Sequence, residues 1–424
     1  MSNCTSSLQG SCKKKVRLGF IGLSGRGRGL LGNVLEMDDV EVPAVCEVYE
    51  DRLQMGIEQV EAAGRPRPEG YKDYRKLVKR DDIDGVVIAT SWTTHVEIAL
   101  AAMKAGKYVG MEVGGATSVQ HCWDLVKTYE ETGTPCMMLE NCNYGRVEMA
   151  ILNMVKKNLF GELIHCQCGY EHDLRQEVAC GYENRHYRIH NYLNRNGDVY
   201  PTHGLGPMAK CLNINRGNRF VSLTSMASKS RGINEWVRKN KGEDHPLAKA
   251  KFALGDIVTT MIKCAHGETV LLIHDTSLPR PYSRAGRVQG TKGIWMEDNK
   301  SIYIEGRSPE HTWEPFEKYL EEFEHPLWKE YLSLGVRGGH GGMDYLVLRA
   351  YIESIKAKTN TPIDVYDTAT WMAVTALSEE SVATGSSPVA FPDFTNGKWI
   401  NREPGIPSKY ALDNVYENCF KTET

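Results

Sequence analysis

Apolar residues in the first 140 positions come in short bursts separated by longer stretches of helical period. The run VRLGFI at 16–21 predicts a strand; it breaks at Gly22 into a glycine-rich turn, after which a helical pattern resumes. VEVPAVCEVYE supplies a second strand, and others are predicted at 86–89 and 108–113 with a two-faced helix between them. Strand alternating with helix predicts a doubly wound parallel α/β sheet over residues 1–142. Beyond 143 the period changes. A helix at 147–158 is followed by strands at 163–170, 220–228, 257–264, 269–275 and around Trp295 and Ile302, alternating as in a sheet with one covered face. This predicts an α+β domain over 143–386. Helices at 344–356 and 365–383 and a proline-rich tail, 387–424, are expected to pack back on the first domain.

The glycine turn reads Gly22-Leu23-Ser24-Gly25-Arg26-Gly27, a dinucleotide fingerprint with Ser24 in place of its middle glycine. Glycines let the backbone approach a pyrophosphate, and the helix N-terminus behind them offers N–H groups and a positive dipole end. Glu47 follows about twenty residues on, at a strand end, where a carboxylate accepts hydrogen bonds from a ribose diol and repels a 2′-phosphate. NAD is therefore expected over NADP; an ordinary surface carboxylate is the alternative reading. Thr90 and Trp92 fall at a strand's carboxyl end, where open α/β sheets bind ligands, and His95 either touches the cofactor there or serves the start of a helix.

The stretch RIHNYLNRNGDVYPTHGLGP, 188–207, holds two His, two Tyr and three Asn with few apolar residues to bury. Pro201 stiffens it, and Gly204 and Gly206 permit tight turns, so Tyr200 and His203 can be held in place around a ligand while Arg188 forks onto an oxygen. His186 and His190 share a spacing of four and could join His203 on zinc, but no carboxylate or Cys is placed to complete a closed site, and no metal is expected. The 12 Cys match no zinc spacing and read as reduced thiols. Glu140 ends an apolar strand, where a buried carboxylate needs a partner or a ligand; a place beside the ligand is expected. Tyr170 and Tyr282 read as packed aromatics or as site residues.

Charge narrows the partners. With 51 basic and 54 acidic residues there is no field to hold nucleic acid, so a small molecule is expected. No run of about 18 apolar residues predicts a membrane span. The opening MSNCTSSLQGSCKKK has no apolar segment after its lysines, which gives the expectation of a cytoplasmic protein.

With these features in place, the chain resembles the Gfo/Idh/MocA family, which joins a Rossmann domain to a domain whose large open, mainly antiparallel sheet faces the nicotinamide. That family commonly reads Glu-Lys-Pro where this chain has Glu112-Val113-Gly114, and the missing Lys weakens an ordinary dehydrogenase reading. Closer similarity is to the NAD-dependent glycoside hydrolase family 109, mainly α-N-acetylgalactosaminidases, with Glu-Val-Pro at this strand. It is carried by MLENCNYGR (Glu140, Asn141, Tyr144), GYEHDLR (Tyr170, His172), GDVYPTHGLGP (Tyr200, His203), HDTSLPRPYSR (Asp275, Arg280, Tyr282) and GHGGMDYL (His340, Asp344). The wider family's Asp-x-x-x-His is not kept, since Val199 stands four residues before His203.

The resemblance implies that Gly22, Ser24, Gly25, Arg26, Gly27, Glu47, Thr90, Trp92, His95, Glu112 and Asn141 hold NAD. It implies substrate contacts from Glu140, Tyr170, His172, Arg188, Tyr200, His203 and Tyr282. The implied chemistry oxidises a sugar at C3, eliminates the C1 group after loss of the C2 proton, adds water and re-reduces C3. His203 is the expected acceptor of the C3 hydroxyl proton and Tyr170 the C2 base, with Tyr200 as competitor and Arg188 or His172 supplying the field that lets a Tyr ionise. A homo-oligomer is also implied. A net sugar or inositol dehydrogenase and a non-catalytic NAD-binding sensor are the rival readings.

Overall fold

The computed structural model describes residues 15–420. Most of the N-terminal segment on which the cytoplasmic expectation rests therefore lies outside the described residues.

Six strands build the first sheet: β1 (Val16–Ile21), β2 (Val40–Cys46), β3 (Glu69–Tyr71), β4 (Gly85–Ile88), β5 (Tyr108–Met111) and β6 (Cys136–Met138). All pair in parallel, in the order β3-β2-β1-β4-β5-β6. Helices cover both faces, which is why β4 is buried along its whole length and its sequence is a continuous apolar run rather than an alternation. The order reverses between β1 and β4, so the loops leaving these two strands, at Gly22 and Ala89, diverge and open a crevice. This is the predicted Rossmann sheet.

Nine strands build the second sheet: β7 (Leu163–Glu171), β8 (Phe220–Ala227), β9 (Ile257–Cys264), β10 (Thr269–Asp275), β11 (Arg287–Gly290), β12 (Gly293–Met296), β13 (Ser301–Ile304), β14 (Glu314–Pro315) and β15 (Val389–Ala390). The order is β14-β13-β12-β11-β7-β10-β9-β8-β15, antiparallel except for the parallel pair β7 and β10. On β9, Val258, Thr260, Ile262 and Cys264 turn inward and the residues between them turn out, the two-residue period of a half-covered sheet. The inner face carries the helix Thr202–Cys211. Gly204 lets it lie directly on β7, because a Cβ there would stand 2.4 Å from the Gly169 nitrogen.

The two late helices join the units. From the helix Met343–Ala357, the Tyr351 hydroxyl reaches the carbonyls of Val86 and Tyr108, at 3.0 and 2.8 Å, inside the Rossmann sheet. The helix Val365–Ala383 accepts the Met138 N–H on Thr368 near one end and the Ser225 N–H on Ser381 near the other, thereby touching both sheets. The tail is only partly where expected. Phe394 does pack on Trp123 of the first unit, with ring centroids 4.7 Å apart, but β15 pairs with β8 and extends the large sheet, whose edge offers unpaired backbone groups.

Charged side chains are buried where the tail meets the helices. Lys210 lies between Asp367 (2.7 Å) and Asp413 (2.8 Å), and Arg216 bridges Asp364, Asp367 and Asp413. Removing one cation from such a cluster strands a carboxylate out of water. Lys210→Met is expected to lower stability by roughly 3–5 kcal/mol; urea unfolding of the two proteins side by side measures it.

Candidate functional site

A cleft of about 1330 Å³ runs between the two sheets, from the glycine turn past the ends of β4 and β5 to the 188–203 stretch. Gly22 has φ +94°, and a Cβ on it would lie 2.5 Å from the Ala89 carbonyl, so the first turn closes only with glycine. Gly25, the first residue of the helix Gly25–Leu35, has no atom within 4 Å of where its Cβ would stand, although it lines the cleft. A side chain there would occupy the space left for a ligand. Ser24 makes no side-chain capping bond, leaving the first helical N–H groups for an anion. Gly27 differs from expectation. It does not line the cleft; its Cβ would fall 2.0 Å from the Gly22 carbonyl, so its role is to let helix and turn pack together.

Glu47 lines the same end, and its carboxylate accepts the N–H groups of Leu23 (2.9 Å), Val48 (2.8 Å) and Tyr49 (3.2 Å). It braces the turn as well as facing the cleft. Arg26 binds Glu112 through Nε (2.8 Å) and Asp344 through both terminal nitrogens (2.7 and 3.0 Å). Asp344 also accepts from Asn141 and His340, each at 2.7 Å. Burial pushes the Asp344 carboxyl up, but His340 and Arg26 outweigh it and hold it far below the usual carboxylate range. One carboxylate at the start of a late helix thus fixes the glycine turn and the segment after β6, and Arg26 ties both to the end of β5.

Thr90, Trp92 and His95 line the middle of the cleft. His95 is fully buried and its Nε2 donates to the Thr90 carbonyl at 3.0 Å, so it shapes this wall as well as facing it. Gly114 explains why proline is absent after Val113. It adopts φ +75°, which a proline ring held near −65° cannot reach, and a Cβ on it would meet the Trp92 ring at 2.5 Å.

At the far end Tyr170, His172, Arg188, Tyr200 and His203 come together. His203 Nδ1 donates to Glu140 Oε1 at 2.7 Å, and its Nε2 lies 3.4 Å from the Tyr200 hydroxyl. The Tyr170 hydroxyl lies 3.0 Å from His172 Nδ1, and the Tyr170 and Tyr200 rings are 4.4 Å apart. Arg188 is buried, with Nε 2.8 Å from Glu177 and its guanidinium over the rings of Tyr200 (4.8 Å) and Trp92 (5.2 Å). Burial raises the Tyr170 hydroxyl above its ordinary range, against the opposing charge of Arg188. Burial and then Arg188 lower His172, which keeps its imidazole neutral and able to accept the phenol proton.

Glu140, expected beside the ligand, does not itself line the cleft. It is 0% exposed and stands behind His203, the partner its burial demanded. Burial alone would raise its carboxyl, but the His203 imidazole prevails and holds it below the usual range. Glu140 and Cys142 do stand beside His203, their ligand atoms within 4.8 Å of one another, so a carboxylate and a Cys accompany this histidine where the sequence reading expected neither. His186 turns to Glu177 and His190 is exposed, so the three histidines do not converge. Tyr282 is 46% exposed and does not line the cleft; its ring centroid lies 5.1 Å from that of His172, which does.

Sequence reading missed Asp198 and Glu177. Asp198 is fully buried five residues before His203, one place off the Asp-x-x-x-His spacing; it accepts the Tyr200 N–H at 3.1 Å, and burial pushes its carboxyl up to about 7. The Asp in GDVYPTH was the available signal. Nothing local marks Glu177 as the partner of Arg188.

The cleft and its fold define a Rossmann-type NAD-binding protein. Residues 16–140 match the oxidoreductase family with NAD-binding Rossmann fold, and the chain shares a fold with levoglucosan dehydrogenase in complex with NADH and L-sorbose (TM-score 0.69, 18% identity, 90% of this chain and 100% of that one). Residues 144–401 match the glycosyl hydrolase 109 C-terminal domain, and the chain belongs to that family. It is 48% identical to a glycosyl hydrolase family 109 protein of Stenotrophomonas maltophilia, over 95% of this chain and 93% of the relative. It is 45% identical to an alpha-N-acetylgalactosaminidase of Tannerella forsythia, over 92% and 88%.

Two outcomes are expected. Glu140→Gln removes the charge that fixes the His203 tautomer and should lower kcat by roughly a hundredfold or more while leaving NAD affinity unchanged, measured by steady-state kinetics and cofactor titration. For Asp198, whose folded carboxyl titrates near 7 against about 4 when unfolded, stability is full below about pH 4 and is lost as pH rises toward 7. Asp198→Asn should therefore match the native protein in acid and exceed it near pH 7, by about 4 kcal/mol at most, in denaturant titrations across that range.

Proposed function

We propose that the protein removes terminal α-linked N-acetylgalactosamine from glycosides, with His203 and the Tyr170–His172 pair moving protons while bound NAD is recycled. The observation that carries this reading is the Glu140–His203 bond at the substrate end of the NAD cleft. Because Nδ1 donates to Glu140, Nε2 is the acceptor left to take a sugar hydroxyl proton, and Glu140 then stabilises the imidazolium. The chemistry supplied by bound NAD is reversible hydride acceptance from a ring carbon, so cleavage leaves no net oxidation.

The carboxylates facing the cleft favour this over direct acid–base hydrolysis. That route needs two carboxyl groups free to flank the scissile bond. Glu47 is held by backbone N–H groups, Glu112 by Arg26, Glu177 by Arg188, and Asp73 and Glu97 by Arg75. Tyr170 can serve as base at the sugar's C2 only through a partner, because burial keeps its phenol protonated; neutral His172 at 3.0 Å provides one, and the Arg188 charge favours the phenolate. Tyr200, beside His203, is the second candidate. Arg188 and Tyr282 are assigned to holding the sugar. The N-acetylgalactosamine assignment is supported by the name of the Tannerella relative. Met226 and Met261, exposed on the outer face of the large sheet, support a second copy of the chain packing there.

The test is hydrolysis of p-nitrophenyl N-acetyl-α-galactosaminide in the presence of NAD⁺, with nitrophenol and NADH absorbance followed together. Nitrophenol release without accumulating NADH is expected. NADH accumulating from free sugars with no glycoside cleaved would make the protein a net dehydrogenase.

A further inference from the structure

Between Gly181 and Tyr187 the second unit sends a turn across the Glu47 end of the cleft to the start of the helix Glu50–Ala62 in the first. Arg185 donates to both oxygens of Asp51, at 3.1 and 2.5 Å, and Arg52 donates to the Asn184 carbonyl at 2.9 Å. Both guanidinium groups lie over the Tyr49 ring, 4.4 Å away for Arg185 and 5.1 Å for Arg52. Tyr49, Arg52, Asn184 and Arg185 all line the cleft, and Tyr49 follows Glu47 by two residues. Arg185 has φ +52°, a left-handed conformation uncommon for a residue with a side chain and persistent only where the surroundings impose it.

We propose that this bridge is a cofactor-retaining strap: the second unit closes over the adenosine half of NAD, and rupture of the Arg185–Asp51 and Arg52–Asn184 contacts sets the rate at which the cofactor leaves. Glu47 fixes which half lies beneath it, since an acid at the end of the second strand takes the adenosine ribose. The strap suits a cofactor that ends each cycle in its starting state. A net dehydrogenase must exchange its dinucleotide every turnover, and a closed adenosine end would throttle it; a recycled cofactor only gains by staying. Asp51 and Arg185 are each about half exposed, so the ion pair is open to screening by salt.

The inference rests on NAD occupying this cleft, and the experiment separates the two. The native protein, Arg185→Ala and Asp51→Asn are loaded with NADH, freed of excess by gel filtration and chased with NAD⁺ while bound-NADH fluorescence decays. Release about tenfold faster is expected for Arg185→Ala, which loses one ion pair and one cation–π contact, and about threefold faster for Asp51→Asn, which loses the ion pair alone. The double exchange Asp51→Arg with Arg185→Asp should recover part of the retention. Salt near 1 M, where the screening length is about 3 Å, should hasten release from the native protein and not from Arg185→Ala. Unchanged release in both variants would overturn the strap and leave the cofactor site standing, whereas a native protein that retains no NADH would overturn both.

Discussion

The bond between Glu140 and His203 holds the site together. It joins the last turn of the Rossmann sheet to the first turn of the helix Thr202–Cys211, across 63 residues, and it is sealed from water on the carboxylate side. An ionised carboxylate in such a place is tolerable only with a donor aimed at it, and the donor is the imidazole whose opposite nitrogen faces the cleft. Folding and chemistry therefore make the same demand. The helix must sit close on β7 for His203 to reach Glu140, which is why a residue without a side chain, Gly204, meets the Gly169 backbone.

The cofactor end is built on a comparable economy of charge. Arg26 emerges from the glycine turn, yet its guanidinium turns to Glu112 and Asp344, so the turn is held rigid by side chains from the end of β5 and from a helix more than 300 residues further on. The N–H groups of the following helix are thereby left to face an anion. Glu47 does likewise for the second strand: three backbone donors fix its carboxylate, two on Oε1 and one on Oε2. Shape at this end comes from polar groups that restrain one another before any ligand arrives.

Where burial is two-sided or periodic, the sequence was a good guide. β9, β10 and the helix Val365–Ala383 fall where the apolar pattern puts them, and the strand–glycine–helix turn marks the cofactor end. The dense polar stretch around Tyr200 and His203 could be recognised as a site because nothing in it suits a core. Pairings across long separations were not legible. Burial required Glu140 to have a partner or a ligand without saying which, and no local pattern announces Arg188 with Glu177 or Arg185 with Asp51. Gly114 was visible as a departure from proline, but its cause, a left-handed backbone against the Trp92 ring, exists only in three dimensions. The tail's last strand was hidden because two residues are too few to show a period.

The helix Val365–Ala383 binds the backbone of β6 with one end and of β8 with the other. Two jaws bolted to one beam have a gape set when the chain folds. A change near the middle of this helix, remote from the reacting atoms, would therefore reach both walls of the cleft at once.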